Sequence, residues 1–167
     1  MPFSIILKFC VNFNLHYFVL ICVLILKGSH GGRGGITSGS HLQKGEAVSY
    51  GNTKIPRDYG SGGGGPCGGS GGGVIVLRAT DFIQVDGKVS ANGVDGASGC
   101  GGGSGGSIYF DTVDMRGSGL IYARGGKGTE NGGGGSGGRI AINYSGGKVF
   151  TGQILADGGL VGMFLHI

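Results

Sequence analysis

Of 167 residues, 44 are glycine and 13% are charged, with a formal net charge of +4. The glycines do not fall at every third position, which excludes collagen, and each one inside a helix costs roughly 1 kcal/mol relative to alanine, which excludes a conventional helical domain. The charge is spread thinly, with no run of like sign, so there is no electrostatic footprint for nucleic acid.

None of the glycines lies in residues 1–27, where 20 of 27 residues are apolar. Residues 3–26, FSIILKFCVNFNLHYFVLICVLIL, predict an N-terminal hydrophobic helix. A helix of about 24 residues rises roughly 36 Å, enough to cross a bilayer core near 30 Å. Lys8, Asn12, Asn14 and His16 interrupt its first half, and the uninterrupted run Tyr17–Leu26 matches the apolar region of a signal peptide. No small-x-small cleavage site follows, only Leu26-Lys27-Gly28-Ser29. An uncleaved signal-anchor, a cleaved secretory signal and a leader foreign to the natural protein all stay open. The expected location is extracellular or membrane, with membrane attachment through residues 3–26 if the leader is retained. Cys10 and Cys22, inside the leader, read as buried thiols.

Residues 28–68 form a diverged glycine-rich lead-in, and residues 69–167 carry three copies of a repeat of about 33 residues. The first copy runs from Gly69-Ser-Gly-Gly-Gly-Val-Ile-Val-Leu77 to Gly87-Lys-Val-Ser-Ala-Asn-Gly93. The second runs from Gly103-Ser-Gly-Gly-Ser-Ile-Tyr-Phe-Asp111 to Gly119-Leu-Ile-Tyr-Ala-Arg-Gly125. The third runs from Gly135-Ser-Gly-Gly-Arg-Ile-Ala-Ile-Asn143 to Gly152-Gln-Ile-Leu-Ala-Asp-Gly158. Ser70, Ser104 and Ser136 are 34 and 32 apart, and Ala91, Ala123 and Ala156 are 32 and 33 apart.

Each copy has period-2 strand patterns. Aligned on the serines, Val74, Ile108 and Ile140 correspond, as do Val76, Phe110 and Ile142. In the last strand Val89, Ile121 and Ile154 correspond, as do the three alanines. A weaker middle strand lies around Ile83–Val85, Val113–Met115 and Val149–Phe150. Three short strands and a glycine-rich corner make one coil, and stacked coils bury their apolar faces as ladders rising about 4.8 Å per rung. The predicted fold is all-β: a right-handed parallel β-helix-like solenoid of about three to four coils, preceded by the hydrophobic helix. The GSGG segments are expected to supply positive φ or close backbone approach, and the longer glycine runs to be stacked corners or excursions with few side chains to pack. A bundle of polyproline II helices also tolerates dense glycine, but the Val/Ile/Phe strands argue against it as the main element.

The repeated GGSGGxI and GxIxAxGG patterns, with the entry segments Gly28–Gly35, Ser49–Asn52 and Tyr59–Gly65, resemble the glycine-rich parallel β-helix repeats, pectin-lyase-like in architecture, of large extracellular and cell-surface proteins. The resemblance covers roughly residues 28–160. It implies a structural or adhesive role without catalytic residues, and a fragment or truncated member of a longer array.

On adjacent rungs Cys67 and Cys100 would have Cα atoms roughly 5 Å apart, inside the disulfide window; two free thiols are the alternative. Zinc has no CxxC or HxxxH spacing to bind it. Asn92, Arg124 and Asp157 fall at one outward position on successive coils, which predicts an Arg124–Asp157 pair. Asn143-Tyr144-Ser145 is an N-glycosylation sequon. Glycine strings of the GxGxxG type open no helix, Lys127 is followed by glycine where a phosphate loop needs Ser or Thr, and the RGG triplets at Arg33 and Arg124 lack a basic surround. No Asp recurs every nine residues, as a calcium β-roll needs. Asp81, Asp86, Asp95, Asp111 and Asp114 are scattered, which argues against a polysaccharide hydrolase or lyase.

The expected function is therefore a non-catalytic structural or adhesion segment, with no cofactor and no metal. A carbohydrate-binding module using Tyr109 and Tyr122 as exposed platforms is the second reading, and a fragment of a polysaccharide-active enzyme the third. Ordinary outward packing against Ala141, Leu155 and Ser90 is the alternative role for those tyrosines. Expected partners are further coils or copies of the chain, because an open solenoid end presents unpaired strand edges, and glycans under the second reading.

Overall fold

The computed structural model describes residues 50–130 and 132–160. The predicted leader helix, the lead-in up to residue 49 and the chain beyond residue 160 lie outside the described residues. Within them the fold is all-β, with nine strands and no helix. The first coil supplies β1 (Val74–Arg78), β2 (Phe82–Gln84) and β3 (Lys88–Ser90). The second supplies β4 (Ser107–Thr112), β5 (Asp114–Gly117) and β6 (Leu120–Tyr122). The third supplies β7 (Arg139–Tyr144), β8 (Lys148–Phe150) and β9 (Gln153–Leu155).

Every third strand pairs, in parallel, giving three sheets of order β1-β4-β7, β2-β5-β8 and β3-β6-β9. That is one strand per coil per sheet, the arrangement of a β-helix-like solenoid. Ile108 pairs with Ile140 and Phe110 with Ile142 in the first sheet, and Val89, Ile121 and Ile154 form a column in the third. Ile108, Phe110, Met115, Ile121 and Ala123 are fully buried at the centre. β-Branched and aromatic residues suit these strands because alternate positions face a dry interior.

Two registers differ from the sequence reading. In the first sheet Ile75 pairs with Ile108 and Leu77 with Phe110, so the inward residues are Ile75 and Leu77, not Val74 and Val76. All four residues Val74–Leu77 are apolar, so alternation cannot set the phase there, and a one-residue slip exchanges the two faces. In the middle sheet Ile83 pairs with Met115 and Gly117 with Phe150, while Val113 and Val149 are exposed.

Of the two readings of the glycine stretches, the structure has excursions: they are straight legs, not corners. The chain leaves β3 or β6 along one leg, turns, and returns along a second leg to the next strand, and it leaves β9 along a leg described as far as residue 160. The geometry is clearest in the return leg 101–106. Gly101 and Ser104 donate their N–H groups to Gly64 and Ser61, Gly102 and Gly105 donate to Gly133 and Ser136, and Gly103 and Gly106 donate to Val94 and Ala91. A hydrogen-bond pattern that visits three neighbours in rotation has three residues per turn, the period of polyproline II. The same step of three recurs elsewhere: Gly93 and Gly96 donate to Arg124 and Lys127, and Gly135 and Gly138 to Gly126 and Ala123. The structure thus joins the two geometries that the sequence set against each other.

Positive φ is not what the leg glycines provide. Among the described glycines only Gly51, Gly65, Gly99 and Gly117 have it. The legs need glycine because they touch. A Cβ on Gly105 would come within 2.2 Å of the Ala123 carbonyl oxygen, and one on Gly135 within 2.0 Å of the Gly103 carbonyl oxygen. Gly65 and Gly99 serve the tip turns, closed by Gly68 N–H to Gly65 O and Cys100 N–H to Ala97 O. The third tip uses Glu130, at φ 52°, in a conformation that costs a non-glycine residue about 1 kcal/mol or more.

Candidate functional site

Several outward-facing polar side chains join one coil to the next. Four acidic or amide groups each accept a main-chain N–H from the coil that follows: Asp86 from Ser118 (3.2 Å), Asn92 from Arg124 (2.7 Å), Asp95 from Lys127 (2.7 Å) and Asp114 from Gly147 (2.8 Å). Sequence separations of 32 or 33 residues make these one repeated device. A strand or leg at the edge of its coil has N–H groups that its own coil cannot satisfy, and a short Asx side chain leaning upward meets them. Asp81 contributes through its main chain, its carbonyl accepting from Val113 and Asp114.

Three ion pairs accompany these bonds: Arg78–Asp111 (3.8 Å), Arg116–Asp114 (2.6 Å) and the expected Arg124–Asp157 (3.1 Å). Arg78–Asp111 and Arg124–Asp157 are largely exposed, so each contributes under about 1 kcal/mol, while Arg116–Asp114 is half-buried. The guanidinium groups also lie on rings, Arg116 over Phe82 at 4.6 Å, Arg124 over Tyr122 at 5.2 Å and Arg139 over Tyr50 at 5.5 Å.

The surroundings of Asp114 favour its ionised form. The Gly147 N–H, and after it the Arg116 guanidinium, hold its carboxyl below the usual range for aspartate. A lowered native pKa adds stability above the ordinary aspartate value, near pH 4, that is lost as pH falls through the native value. The thermal midpoint of the wild type should therefore fall more steeply below about pH 4 than that of Asp114→Asn. Melting curves collected between acid and neutral pH check this, and parallel curves would refute it.

The two predicted platform tyrosines are not open platforms. Tyr109 is 2% exposed. It lies on the outward face of β4, next to Val76 and Ala141, and its hydroxyl accepts a hydrogen bond from Asn143 Nδ2 at 3.1 Å. The non-repeating lead-in reaches this face: Ser107 Oγ donates to the Asp58 carbonyl at 2.6 Å, Tyr50 donates to the Tyr59 carbonyl, and Pro56 is fully buried. Tyr122 is half-buried, between Ser90 and Leu155, with Arg124 across its ring. Asn143, the sequon residue, is exposed near the end of β7. Its amide nitrogen is the atom bonded to Tyr109, so glycosylation there would alter that contact.

Cys67 and Cys100 are joined by a disulfide with Cα atoms 5.6 Å apart, linking the first two tip turns. Among the described residues no three His, Cys, Asp or Glu side chains gather as a metal site, and no helix is long and apolar enough to cross a membrane. The repeated Asx bonds were missed at the sequence level. Their signal was present: Asp or Asn at positions 86, 92, 95 and 114, each one repeat below the residue it serves.

The last coil differs from the others. Ile140 and Ile142 are half-buried, Ile154 is 41% exposed, and with Met115, Tyr144, Lys148 and Phe150 they surround an open cavity of about 200 Å³. No protein-family model, no curated protein and no solved structure matches the chain.

Proposed function

We propose that the chain is a non-catalytic structural or adhesive segment of an extracellular or membrane-tethered glycine-rich protein. In this reading the coils wind as a right-handed parallel β-helix of the pectin-lyase-like kind, and residues 3–26 direct the chain out of the cytosol or hold it at a membrane. The repeated use of Asp86, Asn92, Asp95 and Asp114 as inter-coil acceptors carries the proposal. A solenoid whose acidic side chains grip the neighbouring coil has them committed to rigidity and unavailable as paired acid and base. The Cys67–Cys100 disulfide supports an oxidising location. The burial of Tyr109 and the Arg124 cover on Tyr122 weigh against the carbohydrate-binding alternative.

Expression of the full chain in cells with a secretory pathway tests the proposal. The expected product is outside the cytosol or on a membrane, has an intact mass two hydrogens below its reduced form, and leaves pectin-like polymers intact. A cytosolic product with free thiols, or turnover of a polysaccharide, overturns the reading. Glycan binding that disappears in Tyr122→Ala overturns it in favour of a carbohydrate-binding module.

A further inference from the structure

Asn52 and Asn92 spend their side-chain oxygens on main-chain N–H groups, those of Lys54 and Ile55 in one case and of Arg124 in the other. Asn143 is tied differently, through Nδ2, which donates to the Tyr109 hydroxyl at 3.1 Å. By register it continues a column of outward polar residues, Arg78 and Asp111 before it. Asn143, Tyr144 and Ser145 are all exposed, where β7 ends and the chain bends toward β8. The bend runs on through Gly146 and Gly147, which bring no side chain to crowd the amide. Exposed apolar groups surround the same bend: Gly146 donates to the Val113 carbonyl at 2.8 Å, and Val113, Tyr144 and Val149 are 39%, 45% and 68% exposed. Of the six asparagines in the chain, only Asn143 has Ser or Thr two residues later.

We propose that Asn143 carries an N-linked glycan, displayed on the outer face of the third coil, and that the sugar screens the apolar side chains around the bend. The Ser145 hydroxyl is the group that marks Asn143 as an acceptor. The side-chain amide has two hydrogens, and the linkage uses one of them. Nδ2 attacks the anomeric carbon of a lipid-pyrophosphate-linked oligosaccharide. The carbon–oxygen bond to the pyrophosphate breaks, the pyrophosphate leaves with that electron pair, and one amide proton is released. The hydrogen that remains serves the Tyr109 hydroxyl, so the carboxamide keeps its alignment on the strand. A bulky, hydrated sugar at this point covers Val113, Tyr144 and Val149, a cluster that would otherwise meet other molecules. The inference rests on the secretory reading proposed above, because the sugar donor and its transferase lie on that route.

The full chain expressed in mammalian cells, with its disulfide intact, provides the test. A peptide N-glycosidase is expected to lower its mass and leave aspartate at position 143. The native protein should be a substrate for that enzyme, since the site is exposed. Asn143→Gln and Ser145→Ala should each abolish the mass loss, and Ser145→Thr should retain it. Ser145→Ala keeps the bond from Asn143 to Tyr109, so loss of the glycan in that variant with the disulfide formed is not a failure to fold. Removing the sugar should raise the binding of a dye that reports apolar surface. A secreted or membrane-bound, disulfide-bonded wild type whose mass the glycosidase leaves unchanged overturns the proposal and leaves the structural role standing. A cytosolic product with free thiols overturns both. A glycan that survives Asn143→Gln, or one released only after denaturation, also overturns the proposal, and unchanged dye binding overturns the screening role.

Discussion

Gly105→Ala is expected to destabilise the fold by about 3 kcal/mol or more, whereas Gly73→Ala should leave it unchanged or stabilise it by about 0.5 kcal/mol. The two sites lie in the same kind of leg and neither has a positive φ, so backbone preference does not separate them. Space does. A Cβ on Gly105 would stand 2.2 Å from the Ala123 carbonyl oxygen and 2.6 Å from the Gly138 nitrogen, while one on Gly73 meets nothing within 4 Å. Neither obstacle can swing aside, because both are main-chain atoms and they are hydrogen-bonded to each other at 2.7 Å. The methyl group must push the legs apart and break that bond and its neighbours. At Gly73 the same methyl only narrows the unfolded ensemble. Chemical denaturation of the two variants beside the wild type reads the difference directly. Equal effects would mean that the glycines are there for chain flexibility and not for contact.

The same contact recurs in every coil and explains a pattern visible in the sequence. Gly72 faces the carbonyl oxygen of Ala91, Gly105 that of Ala123 and Gly137 that of Ala156. The alanine ladder therefore marks where an outgoing leg presses on the return leg beside it. Ala123 is fully buried, and its own Cβ lies 2.9 Å from where a Gly138 Cβ would be. A larger residue at the alanine would meet the same wall from the other side. Alanine and glycine are thus two halves of one close approach, and the periodic alanine is its visible trace.

How much could be read in advance follows from where side chains carry a pattern. The columns through Ile108–Ile140 and Val89–Ile121–Ile154 were legible because polar residues alternate with them and only one phase buries the apolar set. The first strand was not, since Val74–Leu77 satisfies both phases. Ser70 then misled the alignment: Ser104 turns toward the lead-in, accepting the Ser61 N–H, and does not stack on Ser70. The sequence left the legs open between corners and excursions because glycine has no side chain to show a period, and their three-residue step exists only in the hydrogen bonds. Tyr109 was misjudged for another reason. The segment reaching its face, residues 50–59, does not repeat, so nothing in the repeat announces the cover.

Removing the disulfide is expected to cost roughly 4 kcal/mol, the loop-closure entropy for a cross-link spanning about 33 residues. Cys67 and Cys100 could be matched in the sequence because their separation of 33 equals the repeat. Their effect should be graded along the molecule. The bridge joins two tip turns, at the far end of legs that run roughly 19 Å from the sheets at 3.1 Å per residue. Each coil contacts only its neighbours, so stability in such a stack is a sum of local terms. Without the bridge the first two tips keep few restraints beyond main-chain bonds, such as Ala97 N–H to the Cys67 carbonyl and Gly101 N–H to the Gly64 carbonyl. In Cys67→Ser/Cys100→Ser, amides at the tips should exchange much faster while Ile108, Phe110 and Ile121, buried far from them, stay among the slowest. The global midpoint should fall as well, because the cross-link acts mainly on the unfolded chain. Loss of tip protection with no change in global stability would confine the bridge to a local clamp. A double variant indistinguishable from the oxidised wild type in both measurements would show that the glycine legs hold the tips without it.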